Sequence, residues 1–309
     1  MVGAGVEEML ADAEPAMDFV SVIVPVYNDA ERIRGCLRAL AEQSYPRDDY
    51  EVIVVDNGST DHTPDVVREY AVSLVVENEV PGSYAARNAG IAMAKGTILA
   101  LTDSDCIPAP DWLERAVAQL TGPASPDMLG GRVELFFKDP ECPTGVELYE
   151  SLMAFPQQHY IRDRNFSVTA NLFVRRRVFE KAGVFDQTLR SSGDLEWGAR
   201  AHAHGFSIFY AEDVVVRHPA RASFGELYSK LARVAGGKRD LSRQGGHALP
   251  KYQDLRSLVP PVKTTFRLLF DERLTGLANR LKVIAVLYFV RYAPYFEKLR
   301  LTLGGTPKR

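Results

Sequence analysis

Cysteine is scarce in this chain of 309 residues, and long apolar runs are absent. The three cysteines, Cys36, Cys106 and Cys142, are widely spaced, so they suggest neither a metal-ligand pair nor a disulfide framework. No apolar run approaches the roughly 20 residues that a membrane-spanning helix needs. The first residues also lack the basic region followed by an apolar core that is typical of a signal peptide. Together these absences predict a cytoplasmic protein in a reducing compartment.

Basic residues are not in excess, because 37 Lys and Arg residues face 40 Asp and Glu residues, for a net charge of −3. This balance gives no reason to expect a nucleic-acid partner. Two phosphate-binding signatures are missing as well: no Gly-x-Gly-x-x-Gly follows the first predicted strand, and no Gly-Lys-Ser/Thr sequence occurs. The sequence therefore argues against a dinucleotide-binding Rossmann domain and against a P-loop nucleotide site.

The first 120 residues alternate short apolar runs with helical patterns. Runs rich in β-branched residues at 20–28 and 51–56 predict buried strands, and apolar residues at helical spacing between them predict a helix over 30–43. This alternation is typical of an α/β domain with a mostly parallel sheet flanked by helices. Further strands are predicted in the second half of the domain, at 130–135, 208–210 and 214–216.

Two of the predicted strands lead into carboxylates. The apolar run at 98–101 is followed by Asp103 and Asp105, and the strand at 51–56 ends with Asp56. Ligands bind beyond the carboxyl ends of parallel strands, so these side chains should share one edge of the sheet. Neighbouring aspartates repel each other unless a cation lies between them, and a hard divalent cation carrying phosphate oxygens is a suitable partner. A solvated acidic turn is the alternative interpretation.

The chain divides into three predicted regions. Residues 1–18 contain acidic residues and no Lys or Arg, which predicts a flexible acidic tail. Residues 19–223 hold the predicted strands and form one domain, whose two halves meet at about residue 120. Residues 224–309 are predicted to be helical, with a basic, glycine-containing break at 236–239.

Five short motifs, taken in order, resemble those of the family 2 glycosyltransferases. They are VIVPVYN at 22–28, VVDNGSTD at 54–61, ARNAG at 86–90, DSD at 103–105 and GDLEW at 193–197. The ordered set, which covers about residues 20 to 220, carries the resemblance, because each motif alone is weak. It implies the GT-A fold and an inverting enzyme that moves a sugar from a nucleotide-diphosphate sugar to a hydroxyl group. One departure is Gly193, which stands where the family usually has Glu before its catalytic Asp.

The resemblance implies a metal site for Mn²⁺ or Mg²⁺ beside the donor. Asp105 is predicted to coordinate the ion directly, while Asp103 holds the ribose or a metal-bound water. His218 is predicted to complete the metal shell, and a hydrogen-bonded surface histidine is the alternative. Imidazole suits Mn²⁺ better than Mg²⁺.

The same resemblance implies a pocket for a UDP-, GDP- or dTDP-sugar. Asp56 is predicted to accept hydrogen bonds from the base or ribose, and Pro25 and Tyr27 to line the same pocket. Arg87 is predicted to lie close to the diphosphate or base. The alternatives are an ordinary core aromatic for Tyr27 and a solvated helix residue for Arg87.

The acceptor side should supply a carboxylate as general base. Asp194 and Glu196 lie two residues apart at a predicted helix start, about 200° apart around its axis, so they cannot both face one reacting centre. The motif selects Asp194 as the base, with a helix N-cap as its alternative role. Glu196 and Trp197 are predicted to contact the acceptor, and simple core packing is the alternative for Trp197. The acceptor itself is a glycan, a lipid-linked molecule or a small molecule.

The C-terminal region is basic and carries an apolar stripe that includes Leu277, Leu281 and Leu287. Residues 272–309 hold eight basic and two acidic residues, and the last helix is predicted to end before Pro294. A basic amphipathic helix with aromatic residues can lie on an anionic membrane surface. Peripheral contact with the inner face of the membrane is therefore one physically reasonable interpretation. Packing on the catalytic domain or against a second subunit, which would give a homodimer, is the slightly preferred one.

Two other functional classes compete with glycosyl transfer. A nucleotidyltransferase of the sugar-nucleotide type would need a Gly-rich phosphate loop with basic residues after the first strand, and residues 28–31 do not supply one. A non-catalytic carbohydrate-binding protein on the same scaffold would not need the carboxylates Asp56, Asp103, Asp105 and Asp194.

Overall fold

An eight-stranded mixed sheet organises the part of the chain that the structure, a computed structural model, describes: residues 18–243 and 259–304. The strands are β1 (Val20–Val26), β2 (Tyr50–Asp56), β3 (Ser73–Val76), β4 (Ile98–Leu101), β5 (Ile107–Pro108), β6 (Met128–Phe136), β7 (Leu172–Arg175) and β8 (Ile208–Pro219). They lie in the order β3-β2-β1-β4-β7-β6-β8-β5. Apart from Asp18, the predicted acidic tail lies outside the described residues.

The first half of the sheet is parallel, and the second half is mixed, since β6 and β8 also pair in parallel. Strands β1 to β4 pair in parallel, whereas β7 runs antiparallel to both β4 and β6, and β5 runs antiparallel to β8. The predicted α/β class is confirmed, and every antiparallel pairing involves β7 or β5.

Helices cover both faces of this sheet. They are α1 (Ala30–Ala41), α2 (Thr63–Arg68), α3 (Ser83–Met93), α4 (Trp112–Thr121), α5 (Gly145–Met153), α6 (Gln157–Arg164), α7 (Arg176–Ala182), α8 (Gly193–Ala203), α9 (Phe224–Arg243), α10 (Val262–Leu269) and α11 (Gly276–Thr302). In β1, Val22 and Val24 pack in one apolar cluster with residues of α1, α2 and α4, while Ile23 packs in another with residues of α3, α7 and α8. Successive side chains alternate between faces, so an unbroken apolar strand is buried on both.

The two strands predicted at 208–210 and 214–216 are a single strand, β8. It pairs in parallel with β6 along its length, with a register shift between Gly131 and Arg132. The polar residues that separate the two apolar runs lie at this irregularity. A β-bulge absorbs extra residues without ending a strand, which is why the sequence pattern suggested a break.

Two predicted helix ends in the C-terminal region are wrong. The glycines at 236–239 lie inside α9, and Pro294 lies inside α11. A Cβ atom on Gly237 would lie 2.5 Å from the carbonyl oxygen of Ser191, so this glycine permits close packing instead of ending the helix. Pro294 removes one backbone N–H, but Glu297 in the next turn is buried, and such tertiary packing overrides the local preference.

The C-terminal helices share an apolar core with α5. Its members are Val146, Leu148, Tyr149, Leu227, Leu268, Leu274, Val283, Val286 and Leu287. Beside this core, the buried carboxylate of Glu150 accepts hydrogen bonds from Arg221 and Lys230 at 3.0 and 2.9 Å. Among the described residues, no helix has the length and apolar character that crossing a bilayer requires.

Candidate functional site

The loops that follow β1 and β2 are tied together by polar contacts. Asn28, in the left-handed region at φ 48°, accepts a hydrogen bond from the backbone N–H of Thr60 at 2.7 Å. Its own N–H donates to Ser59 Oγ at 2.8 Å. Asp56, the last residue of β2, is 3% exposed and accepts from the N–H of Ser59 at 3.1 Å. At the predicted acidic edge, hydrogen bonds therefore connect the loops after β1 and β2. One role of Asp56 is to stabilise the loop after β2.

The two residues predicted to line the nucleotide pocket differ in exposure. Tyr27, directly after β1, is 60% exposed, so its alternative role as an ordinary core aromatic is wrong. Pro25 is buried inside β1, where pairing with β2 continues to Val26. Of the pair, Tyr27 has the exposed ring, and contact of either residue with a nucleotide stays a prediction.

A group of four potential metal ligands forms beyond β4 and at the end of β8. The ligand atoms of Asp103, Asp105, Cys106 and His218 all lie within 4.8 Å of one another. His218 is 6% exposed, and its Nδ1 lies 2.7 Å from the carbonyl oxygen of Pro219, which can only accept a hydrogen bond. Nδ1 therefore carries a proton, and Nε2 faces the aspartates, 3.6 Å from Asp105 Oδ1, where it could ligate a cation. The alternative of a surface histidine is wrong.

The donor set fits a divalent cation. Burial raises the pKa of Asp105, against the lowering effect of His218 and with a further increase from the charge of Asp103. Two carboxylates this close favour a cation between them, and carboxylate with neutral imidazole suits Mn²⁺ or Mg²⁺. Burial also raises the pKa of the Cys106 thiol, which keeps it protonated and makes it a poor ligand. Sequence reasoning missed Cys106 because it considered only spaced pairs of cysteines.

Two arginines flank these aspartates. Arg87 is 4% exposed, forms an ion pair with Asp103 and donates to the carbonyl oxygen of Ser83 at 3.2 Å. Its interpretation as a solvated helix residue is therefore wrong. Arg32 in the first turn of α1 contacts Asp29 at 2.6 Å and Asp105 at 3.4 Å. Arg32 is not among the predicted site residues, because nothing in the local pattern shows that the start of α1 faces the end of β4.

Asp194 lies in the first turn of α8 and is half-buried. The helix N-cap is Ser192, so the alternative role of Asp194 as an N-cap is wrong. Burial raises the pKa of the Asp194 carboxyl, the N–H of Leu195 and the charge of Arg87 lower it, and Asp103 raises it further. The influence of Arg87 and Asp103 means that Asp194 shares the electrostatic environment of the metal-ligand group.

Gly193, the departure from the family motif, has a structural explanation. A Cβ atom at this position would lie 2.7 Å from the ring of Tyr84, so the space for a side chain is already filled. The Tyr84 hydroxyl accepts hydrogen bonds from the N–H groups of Gly193 at 2.8 Å and Asp194 at 3.4 Å. Tyr84 therefore supports the backbone that presents Asp194. Its ring fills the space beside position 193, where the family usually has a glutamate.

The two residues predicted to contact the acceptor, Glu196 and Trp197, make contacts within the protein that indicate other roles. Trp197 is 1% exposed, stacks on Phe179 with ring centroids 4.6 Å apart, and donates to the carbonyl oxygen of Gly183 at 2.7 Å. A ring packed in this way cannot stack on a sugar, so Trp197 belongs to the core. Glu196 accepts two hydrogen bonds from Arg200, at 2.9 and 3.0 Å, which braces α8. Acceptor contact by Glu196 stays a prediction.

Comparison with known proteins identifies a family and several relatives. Residues 21–183 match the family described as glycosyl transferase family 2. Glycosyltransferase AglE of Haloferax volcanii is 45% identical over 227 residues, which are 72% of this chain and 73% of AglE.

Two solved structures share the fold at low sequence identity. The mannosyltransferase PcManGT of Pyrobaculum calidifontis, solved with GDP-Man and Mn²⁺, superposes with a TM-score of 0.62 at 21% identity, over 95% of this chain and 91% of PcManGT. Residues 1–349 of S. aureus TarS, solved with UDP-GlcNAc, give a TM-score of 0.53 at 18% identity, over 93% and 92% of the two chains. These likenesses confirm the predicted GT-A fold, and the family match and the identity to AglE show that this chain belongs to glycosyl transferase family 2.

Proposed function

We propose that this glycosyltransferase is an inverting enzyme that uses a nucleotide-diphosphate sugar and Asp194 as its general base. The observation that carries the proposal is the position of a half-buried carboxylate, with a raised pKa, in the electrostatic environment of the Arg87–Asp103 ion pair. The side chains around Asp103 and Asp105 are suited to bind the donor, and the carboxylate of Asp194 is suited to accept a proton. Single displacement needs both groups on opposite sides of one sugar.

The donor side binds the nucleotide diphosphate through charge and stacking. The exposed ring of Tyr27 packs on the base, and Asp56 contacts the base or ribose. Arg87 has a buried Nε without a hydrogen-bond partner in the described part of the chain, which leaves a donor for a phosphate oxygen. Asp103, Asp105 and His218 would hold Mn²⁺ or Mg²⁺; such an ion, when bound, neutralises charge on the leaving diphosphate as a Lewis acid. The Mn²⁺ and GDP-Man of PcManGT support this assignment by analogy of fold.

The acceptor side removes the proton. As the acceptor oxygen attacks the anomeric carbon, its proton passes to a carboxylate oxygen of Asp194, and the bond between that carbon and the phosphate oxygen breaks on the opposite face. The anomeric configuration is therefore inverted. A raised pKa makes Asp194 a stronger base than an exposed aspartate, which favours proton transfer near neutral pH.

The acceptor is a hydroxyl group of a glycan, a lipid-linked molecule or a small molecule. The basic C-terminal helices support a location at the inner face of the membrane, as a peripheral protein. A homodimer through the same helices is the alternative.

The proposal is tested by product analysis with a matched pair of variants. The protein is incubated with UDP-, GDP- and dTDP-sugars that raise its melting temperature in the presence of Mn²⁺, with and without EDTA. We expect release of nucleoside diphosphate, loss of release with EDTA, and a product of inverted anomeric configuration by NMR. Asp194→Asn should lose turnover and keep donor binding, whereas Asp213→Asn, at an exposed ion pair with Arg115, should keep both. Retained configuration, or full turnover by Asp194→Asn, would contradict the mechanism.

A further inference from the structure

One face of α11 presents large apolar side chains to solvent along the helix. Leu277, Leu281, Tyr295, Phe296 and Leu299 are between 45% and 65% exposed. At 3.6 residues per turn, these positions fall within a sector of about 100°. The opposite side of the helix is buried in the core shared with α5. The predicted C-terminal stripe is thus divided, with Leu287 in the core and Leu277 and Leu281 on the surface.

The shorter helix α10 repeats this arrangement. Val262, Phe266 and Phe270, spaced four residues apart, are 62%, 65% and 68% exposed, while Leu268 on the inner side is 1% exposed. The rings of Phe266 and Phe270 pack together with centroids 5.3 Å apart. We call the eight exposed apolar residues of α10 and α11 the apolar face. Large apolar side chains exposed on two helices that are in contact with each other mark an interaction surface.

Basic residues border the apolar face. On α11, Lys282 and Arg300 lie along one edge of the stripe, and Arg280, Arg291 and Lys298 lie along the other, by helical position. Residues 259–304 contain eight basic and three acidic residues, although the whole chain has a net charge of −3. Two of the three acids, Asp271 and Glu297, pair with Arg273 and Arg300 of the same segment. The surface therefore combines exposed apolar groups with a concentrated positive charge.

We propose that the apolar face binds the surface of an anionic lipid bilayer, with its aromatic and leucine side chains among the lipids and its basic borders at the headgroups. Aromatic and leucine residues flanked by Lys and Arg are the composition of helices that lie in the membrane interface. A second copy of the chain fits less well. A two-fold dimer would place the same positive borders against each other, and lysine is depleted in protein interfaces.

The bilayer contact also connects to the catalytic region. α9 packs on α11, where the rings of Phe224 and Phe289 lie 5.0 Å apart, and its Gly237 lies against Ser191, three residues before Asp194. Docking through α10 and α11 would therefore connect the acceptor side, through α9, to helices that contact the membrane, where a lipid-linked acceptor would be presented. This last consequence rests on the proposed function, whereas binding to the bilayer does not.

The test is co-sedimentation of the full chain with vesicles of phosphatidylglycerol and phosphatidylcholine, compared with phosphatidylcholine alone. We expect binding to the anionic vesicles that weakens as salt is raised. The double variant Phe266→Glu/Phe270→Glu should lower the partition coefficient at least tenfold. Met93→Glu, at a similarly exposed apolar residue of α3, is the matched control and should bind like the parent chain. Circular dichroism checks that each variant is folded.

A second pair of changes keeps the test decisive if the first variant does not fold. Lys263→Glu/Arg267→Glu on α10 leaves the apolar face intact and should lower binding to anionic vesicles about tenfold or more. Equal sedimentation with both lipid mixtures, or no effect of either double variant, would overturn the proposal. A concentration-dependent dimer in ultracentrifugation that Phe266→Glu/Phe270→Glu abolishes, without vesicle binding by the parent chain, would assign the face to a second copy. Vesicle binding without sugar transfer would leave this inference standing and overturn the proposed function alone.

Discussion

The carboxylates beyond β4 and the carboxylate at the start of α8 differ in the groups that they contact. Asp103 is paired with the buried guanidinium of Arg87, and Asp105 lies beside Arg32 and His218. Asp194 instead accepts a hydrogen bond from a backbone N–H and is raised in pKa by burial. Burial raises the pKa of Asp105 as well as that of Asp194, so the two regions differ in their partners. Carboxylates beside arginines and an imidazole are suited to hold a cation or a phosphate group, whereas a poorly solvated carboxylate bonded to a backbone N–H gains affinity for a proton. In the proposed mechanism, Asp103 and Asp105 form the binding region and Asp194 forms the proton-transfer region.

The largest expected effect comes from removing charge in the binding region. Asp105→Ala should abolish transfer and remove the metal dependence of nucleotide binding, because it deletes the carboxylate nearest to His218. Asp103→Ala should be nearly as damaging and should also lower the free energy of unfolding by about 1–3 kcal/mol, since buried Arg87 loses its partner. Turnover is measured over a Mn²⁺ titration, with the surface change Asp111→Ala as control. If either variant kept wild-type turnover at limiting metal, Asp103 and Asp105 would not form a metal-binding region distinct from Asp194.

The next effect comes from the proton-transfer region. Asp194→Asn keeps the size of the side chain and cannot accept the proton, so turnover should fall about 10²–10⁴-fold with donor affinity unchanged. Glu196→Gln should cost much less, because Glu196 braces α8 through Arg200. Single-turnover kinetics and donor titration separate the two quantities. If Glu196→Gln is the more damaging change, the base is Glu196.

Removing the hydroxyl that supports Asp194 should have a smaller effect. Tyr84→Phe leaves the N–H groups of Gly193 and Asp194 without their acceptor. We expect turnover to fall roughly tenfold, because a slightly displaced base is less effective, and KM for the donor to stay unchanged. Tyr70→Phe, which removes an exposed hydroxyl bonded to a backbone carbonyl, is the control. Equal activity of the two variants would mean that Tyr84 is a packing residue only.

The smallest effect is a displacement of the pH profile. Because burial raises the pKa of Asp194, activity should fall, as pH decreases, at a pH above the usual aspartate value of about 3.9. Loss of the Asp103 charge removes a repulsion, so Asp103→Asn should move the residual acid limb to lower pH. The measurement is the pH dependence of kcat at saturating donor for the parent chain and for Asp103→Asn. An unchanged limb in Asp103→Asn would show that the two regions are electrostatically independent.

The strands that carry the donor site could be predicted because their information is local. The apolar runs that became β1, β2 and β4 are buried on both faces of the sheet, and their carboxyl ends share an edge, as parallel pairing requires. It could therefore be predicted that the carboxylates at the ends of β2 and β4 lie at the same edge of the sheet. The same local reasoning failed at the bulge in β8 and at Pro294, where pairing and packing with distant residues kept an element continuous.

The sequence by itself determined the α/β class, the order of the elements and the acidic edge, because these depend on apolar periodicity and on where strands end. Only the tertiary structure decided which side chains meet across more than 70 residues of sequence, as Arg32 and Asp105 do at 3.4 Å. It also decided that Trp197 is a core residue and that the ring of Tyr84 occupies the space beside Gly193. Such contacts depend on how α1, α3 and α8 pack on the sheet, and close packing is set by the whole set of neighbours rather than by local sequence.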